Sequence, residues 1–428
     1  MTTEVVILNR GAVAIAADSA VTLGSPGRKI YNTANKLFPL STVEPVAVMV
    51  YGAGSLCSIP WETVIKEHRR QLAETAFDTV EEYAISLIAY LSTLVPHVSR
   101  QEQWERVEMI ARWELDMARR SVENAVEDAL TKGNPFADQQ VRTAILDRLS
   151  ARIRQLQQHD VIDGLSASVA GKEVSAAIKE WSGFVDEALA GLPTDSEIRR
   201  RARVLIRTSL RVARQSPWGS GVVVVGFGTD QLFPALSQYI VDGVVANRVR
   251  AWKVKDVRIG KEHSAGIYPF AQRDMVATFM DGVSPEYRLA LKEFVDTTIE
   301  TFTRFFSEQV QSSLTADDHA DLLVEMGEAR AIVIGDFQMR LDNYLKDQNS
   351  DPIMSIVGSL PKEELAEMAE TLVNLTSFKR RVTPEEETVG GPIDLAVISK
   401  GDGLVWIKRK HYFVPELNPR YFGRDRAT

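Results

Sequence analysis

Thr2 is the residue of this chain whose position could do the most chemistry. It is small and follows Met1, so trimming of Met1 would leave one residue carrying both a free α-amine and a hydroxyl. Such a threonine brings its own base. An α-amine with a pKa of roughly 7.7–8.0 is partly neutral near physiological pH and takes the hydroxyl proton directly or through one water. The chemistry is attack on a carbonyl. It needs, in addition, a cation that supports the moving proton, a carboxylate that orients the cation, and a backbone N–H for the oxyanion. The simpler alternative is an early strand residue behind a retained Met1.

Other constellations are weaker. Asp317, Asp318, His319 and Asp321 are grouped like metal ligands, but Thr315 followed by acidic residues reads more simply as a capped helix N-terminus. His68, His97, His159, His263 and His411 are scattered, and none lies in an HExxH pattern; no Walker or G-x-G-x-x-G sequence is present, which argues against nucleotide binding. Cys57 is the single cysteine. It excludes an internal disulfide and a cysteine-rich zinc site, and is expected to be a small buried hydrophobe.

The 428 residues are 45% hydrophobic and 25% charged, enough for a large core and more than one structural unit. The formal net charge of −8 argues against a general nucleic-acid or anionic-membrane surface, which Lys and Arg would have to supply. The basic run Ile198 to Arg214 reads as an amphipathic helix paired with acidic neighbours. No stretch approaches the roughly 18–20 apolar residues of a membrane span, and the first residues do not resemble a signal peptide. A cytoplasmic protein that binds neither membrane nor nucleic acid is the expectation.

The elements that would position Thr2 are β in character. VVIL, the Asn9-Arg10-Gly11 turn and AVAIAAD form a predicted hairpin from Glu4 to Ala17. NKLFPL and VAVMVYG, ending at Gly52, form a second pair. Helices follow: Ile59 to Thr75, then one opened by Asp78 with Glu81 and stopped at Pro96. Charged helical segments run from Val98 to Gln215, with Thr194 and Glu197 capping the last. Strands return in GVVVVGFG and in an alternating stretch from Val244 to Val254. A further helical region spans Ser284 to Leu360, and the chain closes with two strands about the Lys400 to Gly403 turn.

These stretches carry a resemblance. TTEVVILNRGAVAIAADSAVTLG is similar to the start of a mature proteasome β-subunit or of its bacterial HslV relative, without a gap from Thr2 through Gly24. AADSAVT resembles that family's Ala-Asp-Ser-x-x-Thr motif, NKLFPL its second strand pair, and VMVYGAG its Ile-Ala-Gly segment. GVVVVGFG, AGIYPFA and TVGGPIDLAVIS resemble, in order, a later core strand, a Gly-Ser-Gly-Ser-x-Phe-Ala turn and a Ser-Gly-Gly strand entry.

The resemblance implies the four-layer αββα sandwich of N-terminal-nucleophile (Ntn) hydrolases, an α+β fold with two antiparallel sheets face to face. The core would be residues 1–97, 216–283 and 361–428, interrupted by helical insertions at 98–215 and 284–360. By the same resemblance Thr2 falls on the nucleophile, Asp18 on the acid paired with the catalytic lysine, Lys36 on that lysine, and the Gly52 N–H on the oxyanion hole. Lys29 is a rival for Lys36, which is preferred because it begins the apolar strand pattern. Gly266 stands at the family's turn serine, with Ser264 out of register, and Glu386 at its late aspartate.

The implied reaction is hydrolysis of a peptide or amide substrate through an acyl-enzyme on Thr2, without metal or organic cofactor. A catalytically silent scaffold of the same fold and a small-amide amidohydrolase are the alternatives. A homo-oligomer is expected, with the insertions free to meet a protein partner.

Overall fold

The structure is a computed structural model, describing residues 3–23, 29–31, 33–134, 136–180, 183–383 and 390–418. Thr2 and Glu386 therefore lie outside the described residues. The chain is mixed α and β with antiparallel sheets, in two compact units: residues 1–34 with 259–428, and residues 35–258.

The first unit is built on a five-stranded sheet in the order Ala265–Ala271, Thr3–Asn9, Val13–Ala17, Asp394–Ser399, Gly403–Lys408, every pair antiparallel. The Asn9 to Ala12 turn is made locally: the Asn9 Oδ1 accepts the N–H of Gly11 at 2.9 Å and of Ala12 at 3.1 Å, an Asx-type turn. Every residue of the three central strands is buried, which is why Val5–Leu8, Val13–Ala17 and Leu395–Ile398 are continuous apolar runs rather than alternating. The helix Lys362–Val382 lies on this sheet. Leu365, Ala369, Leu372, Val373 and Thr376 recur at helical spacing, and the apolar four of them pack with Val5, Ile7, Ala14, Ala16 and Val397. Each fully buried Leu or Val there contributes about 1.5–3 kcal/mol.

The same unit carries two long helices, Pro285–Val310 and Ala316–Leu345. Ser284 and Thr315 cap them, accepting the N–H of Tyr287 and of Asp318. They run antiparallel: Arg288 meets Asp342, Asp296 meets Arg330, and Ser307 meets His319. The AGIYPFA segment, expected as a turn, is instead the edge strand Ala265–Ala271, with Pro269 tolerated because an edge needs no second ladder.

The second unit has its own five-stranded antiparallel sheet, ordered Arg248–Arg258, Ala235–Val245, Ser220–Gly226, Val46–Gly52, Leu37–Pro39. The alternating stretch read from Val244 to Val254 is in fact a hairpin corner. Ala246 and Asn247 both take positive φ, 55° and 57°, the backbone of a two-residue turn that matches strand twist. Helices Trp61–Leu72 and Val80–Thr93 bury Val64, Ile65, Tyr83, Leu87 and Leu91 against Val48, Val222, Val224 and Val241.

Five more helices, Arg100–Thr131, Asp138–Leu156, Ala167–Glu180, Phe184–Ala188 and Ser196–Arg211, enclose a separate core around Leu115, Leu149, Ile198 and Leu205. As expected, the basic run is paired with acidic neighbours: Arg199 with Asp186, and Arg214 with the buried Glu114.

Two caps differ from expectation by one residue. Thr79, not Asp78, caps Val80–Thr93, with Glu82 closing the box. Asp195, not Thr194, caps Ser196–Arg211. Cys57 is half-buried, with φ 53°, rather than buried.

Candidate functional site

Asp18 is the best-defined of the expected site residues. It follows the strand Val13–Ala17 and is 1% exposed. Its Oδ1 accepts the backbone N–H of Thr3 at 3.0 Å, and its Oδ2 accepts that of Gly390, also at 3.0 Å. The Asp18 N–H in turn donates to the Thr3 carbonyl at 3.1 Å. A carboxylate with both oxygens engaged by backbone donors is fixed in place. It is held at the residue covalently next to Thr2.

The neighbouring backbone is tied to the same region. Ser19 donates its hydroxyl to the Pro392 carbonyl and its N–H to the Gly390 carbonyl, the latter at 3.3 Å. Gly390 and Gly391 both have positive φ, 154° and 79°, a conformation that glycine adopts without a Cβ penalty. The Gly-Gly pair thus enters the strand Asp394–Ser399 while turning one N–H onto Asp18. Its role as second donor to Asp18 was not foreseen; the only signal was the Gly-Gly pair itself.

Gly266 has a physical reason. A Cβ there would come within 2.3 Å of the Tyr268 ring, two residues along the same strand face. The Tyr268 hydroxyl is hydrogen-bonded to His263 Nε2 at 2.8 Å, and burial pushes its pKa up to about 12. A serine at 266 would have to displace that ring.

Lys36 and Gly52 belong to the second unit. Lys36 is 6% exposed, and its carbonyl accepts the Val50 N–H at 2.9 Å, fixing it to the strand that ends at Gly52. Gly52 has φ +84°, and a Cβ there would lie 2.4 Å from the Gly219 carbonyl oxygen, so only glycine fits. Lys29, the rival for Lys36, begins the short strand Lys29–Tyr31, paired with Leu23.

The second unit also holds a buried ion pair that the sequence did not announce. Arg250 donates Nη1 to Asp242 Oδ2 at 2.6 Å, its Nε to the Leu210 carbonyl and its Nη2 to the carbonyls of Ser209 and Val212, closing the C-terminus of the helix Ser196–Arg211. Asp242 also accepts the Ser216 N–H and hydroxyl. All of these donors and acceptors are satisfied, and the cluster has the character of a structural tie between helix and sheet.

Among the described residues no group of three or more His, Cys, Asp or Glu could hold a metal ion, and no helix is long and apolar enough to cross a membrane. No protein-family model matches the chain, and no curated protein matches it.

Proposed function

We propose that this chain is a proteasome-like Ntn hydrolase of the four-layer αββα type, cleaving peptide or amide bonds through Thr2 once Met1 is removed. One observation carries the reading: the buried Asp18 carboxylate is bonded to the N–H of Thr3, adjacent to the proposed nucleophile, and is locked there by Gly390. Two all-antiparallel five-stranded sheets and the steric demand for glycine at position 52 support it further.

In the proposed reaction the Thr2 amine takes the hydroxyl proton as Oγ1 attacks the substrate carbonyl. By the resemblance, the oxyanion falls to the Gly52 N–H and support of the proton transfer to Lys36. The amine proton passes to the leaving nitrogen, leaving an ester on Thr2. Water, deprotonated by the same amine, then hydrolyses that ester and restores the hydroxyl.

A second reading, a catalytically silent scaffold, is favoured by the Tyr268 ring occupying the space that a serine at 266 would need. Intact-mass measurement, followed by treatment with a peptide electrophile, separates the two. The hydrolase loses Met1 and gains one adduct on Thr2, whereas Thr2→Ala gains none. Retention of Met1 removes the catalytic reading. A label confined to small acyl electrophiles would instead mark a small-amide amidohydrolase.

A further inference from the structure

The helical pair Pro285–Val310 and Ala316–Leu345 leaves much of its apolar surface uncovered. Its internal seam, with Leu291, Val295 and Ile299 facing Leu322, Met326 and Ile334, is only half-buried, because two helices alone cannot enclose a core. The first helix bears a second stripe alongside the seam: Tyr287, Phe294, Phe302 and Phe305, the last three 69%, 67% and 60% exposed. At about 100° per residue these four fall within an arc of roughly 80°. The second helix likewise exposes Val324, Ile332 and Met339.

We propose that this stripe is a homodimer interface, in which the Pro285–Val310 helix of one protomer packs antiparallel on the same helix of a second copy, so that two helical pairs form a four-helix bundle. The area is sufficient. Large aromatic side chains bury about 150–250 Å² each, so the exposed apolar residues of the pair offer on the order of 1,000 Å² per protomer. That exceeds the roughly 300–600 Å² patch of an ordinary monomer and meets the roughly 800 Å² per partner of a stable interface.

An anionic lipid surface fits poorly, since the partner helix carries Asp317, Asp318, Asp321, Glu325 and Glu328.

The test is light scattering coupled to size exclusion on the full chain at micromolar concentration. The expected mass is twice 47.6 kDa, falling two-fold in Phe294→Asp/Phe302→Asp with an unchanged far-UV spectrum. Hydrogen exchange on the wild type is the second reading: protection in residues 285–310 should rise with protein concentration. A wild-type monomer overturns the proposal, as does a dimer that survives the double substitution or a helix whose exchange ignores concentration. A monomer that binds vesicles of phosphatidylserine and phosphatidylcholine would overturn it in favour of a membrane occupant.

Discussion

Asp18 and Thr3 hold each other twice: the Thr3 N–H donates to the Asp18 carboxylate at 3.0 Å, and the Asp18 N–H donates to the Thr3 carbonyl at 3.1 Å. With Gly390 on its other oxygen, this carboxylate ties the first strand to the chain preceding Asp394–Ser399. Asp18→Asn keeps the shape but turns an NH₂ toward one of two N–H donors. The expected result is a loss of about 1–3 kcal/mol in chemical denaturation, together with loss of hydrolysis. Wild-type stability in the variant would show that the two contacts carry no net energy.

For the lysine, the prediction rests on fixation. Lys36 is buried and its backbone is pinned to Val50, so little entropy remains to be lost in holding it. Lys36→Ala is expected to lower turnover of a peptide substrate by about two orders of magnitude or more, and Lys29→Ala by only a few-fold. The reverse order in steady-state assays would transfer the catalytic role to Lys29.

Removing one member of the Asp242–Arg250 pair strands the other in the interior. Asp242→Ala should cost about 3–5 kcal/mol, while the double variant Asp242→Leu/Arg250→Met should recover much of that loss. Denaturant titrations of the three proteins decide this. Equal losses in the single and double variants would mean that the Arg250 contacts to the helix carbonyls, not the charge pair, hold the unit together.

His68 supplies a pH dependence. It is 3% exposed, stacks on Tyr90 with ring centroids 5.0 Å apart, and its Nε2 has no hydrogen-bond partner among the described residues. Burial lowers its pKa from 6.5 to about 4. The unfolded chain therefore takes up a proton as pH falls below about 6.5 while the folded chain does not, so this contribution is full above that pH and is lost toward pH 4. Between pH 7 and 4.5 it amounts to roughly 2–3 kcal/mol. His68→Phe should retain the stacking and show a correspondingly shallower decline in urea midpoint over that interval; parallel declines would exclude His68 as the source.

What the sequence determined by itself was local. The Asn9 to Ala12 turn is closed by the side chain of Asn9, the apolar runs at Val5 to Leu8 and Val222 to Val225 could only be central strands, and Thr315 caps the helix that it precedes. Each follows from chemistry within a few residues. The tertiary structure decided the rest wherever a distant group competed. Asp78 yields its capping role to Thr79 while its carboxylate accepts the hydroxyl of Thr229, 151 positions away. Asp195 caps its helix while also binding Arg142. The Ala246–Asn247 turn has no glycine to announce it and is held by strands pairing on both sides. The same is true of the candidate site. The types Asp18 and Gly390 were legible, but that both oxygens of one carboxylate would be spent on Thr3 and Gly390 depends on bringing together backbone 372 residues apart, and no periodicity along the chain encodes that approach.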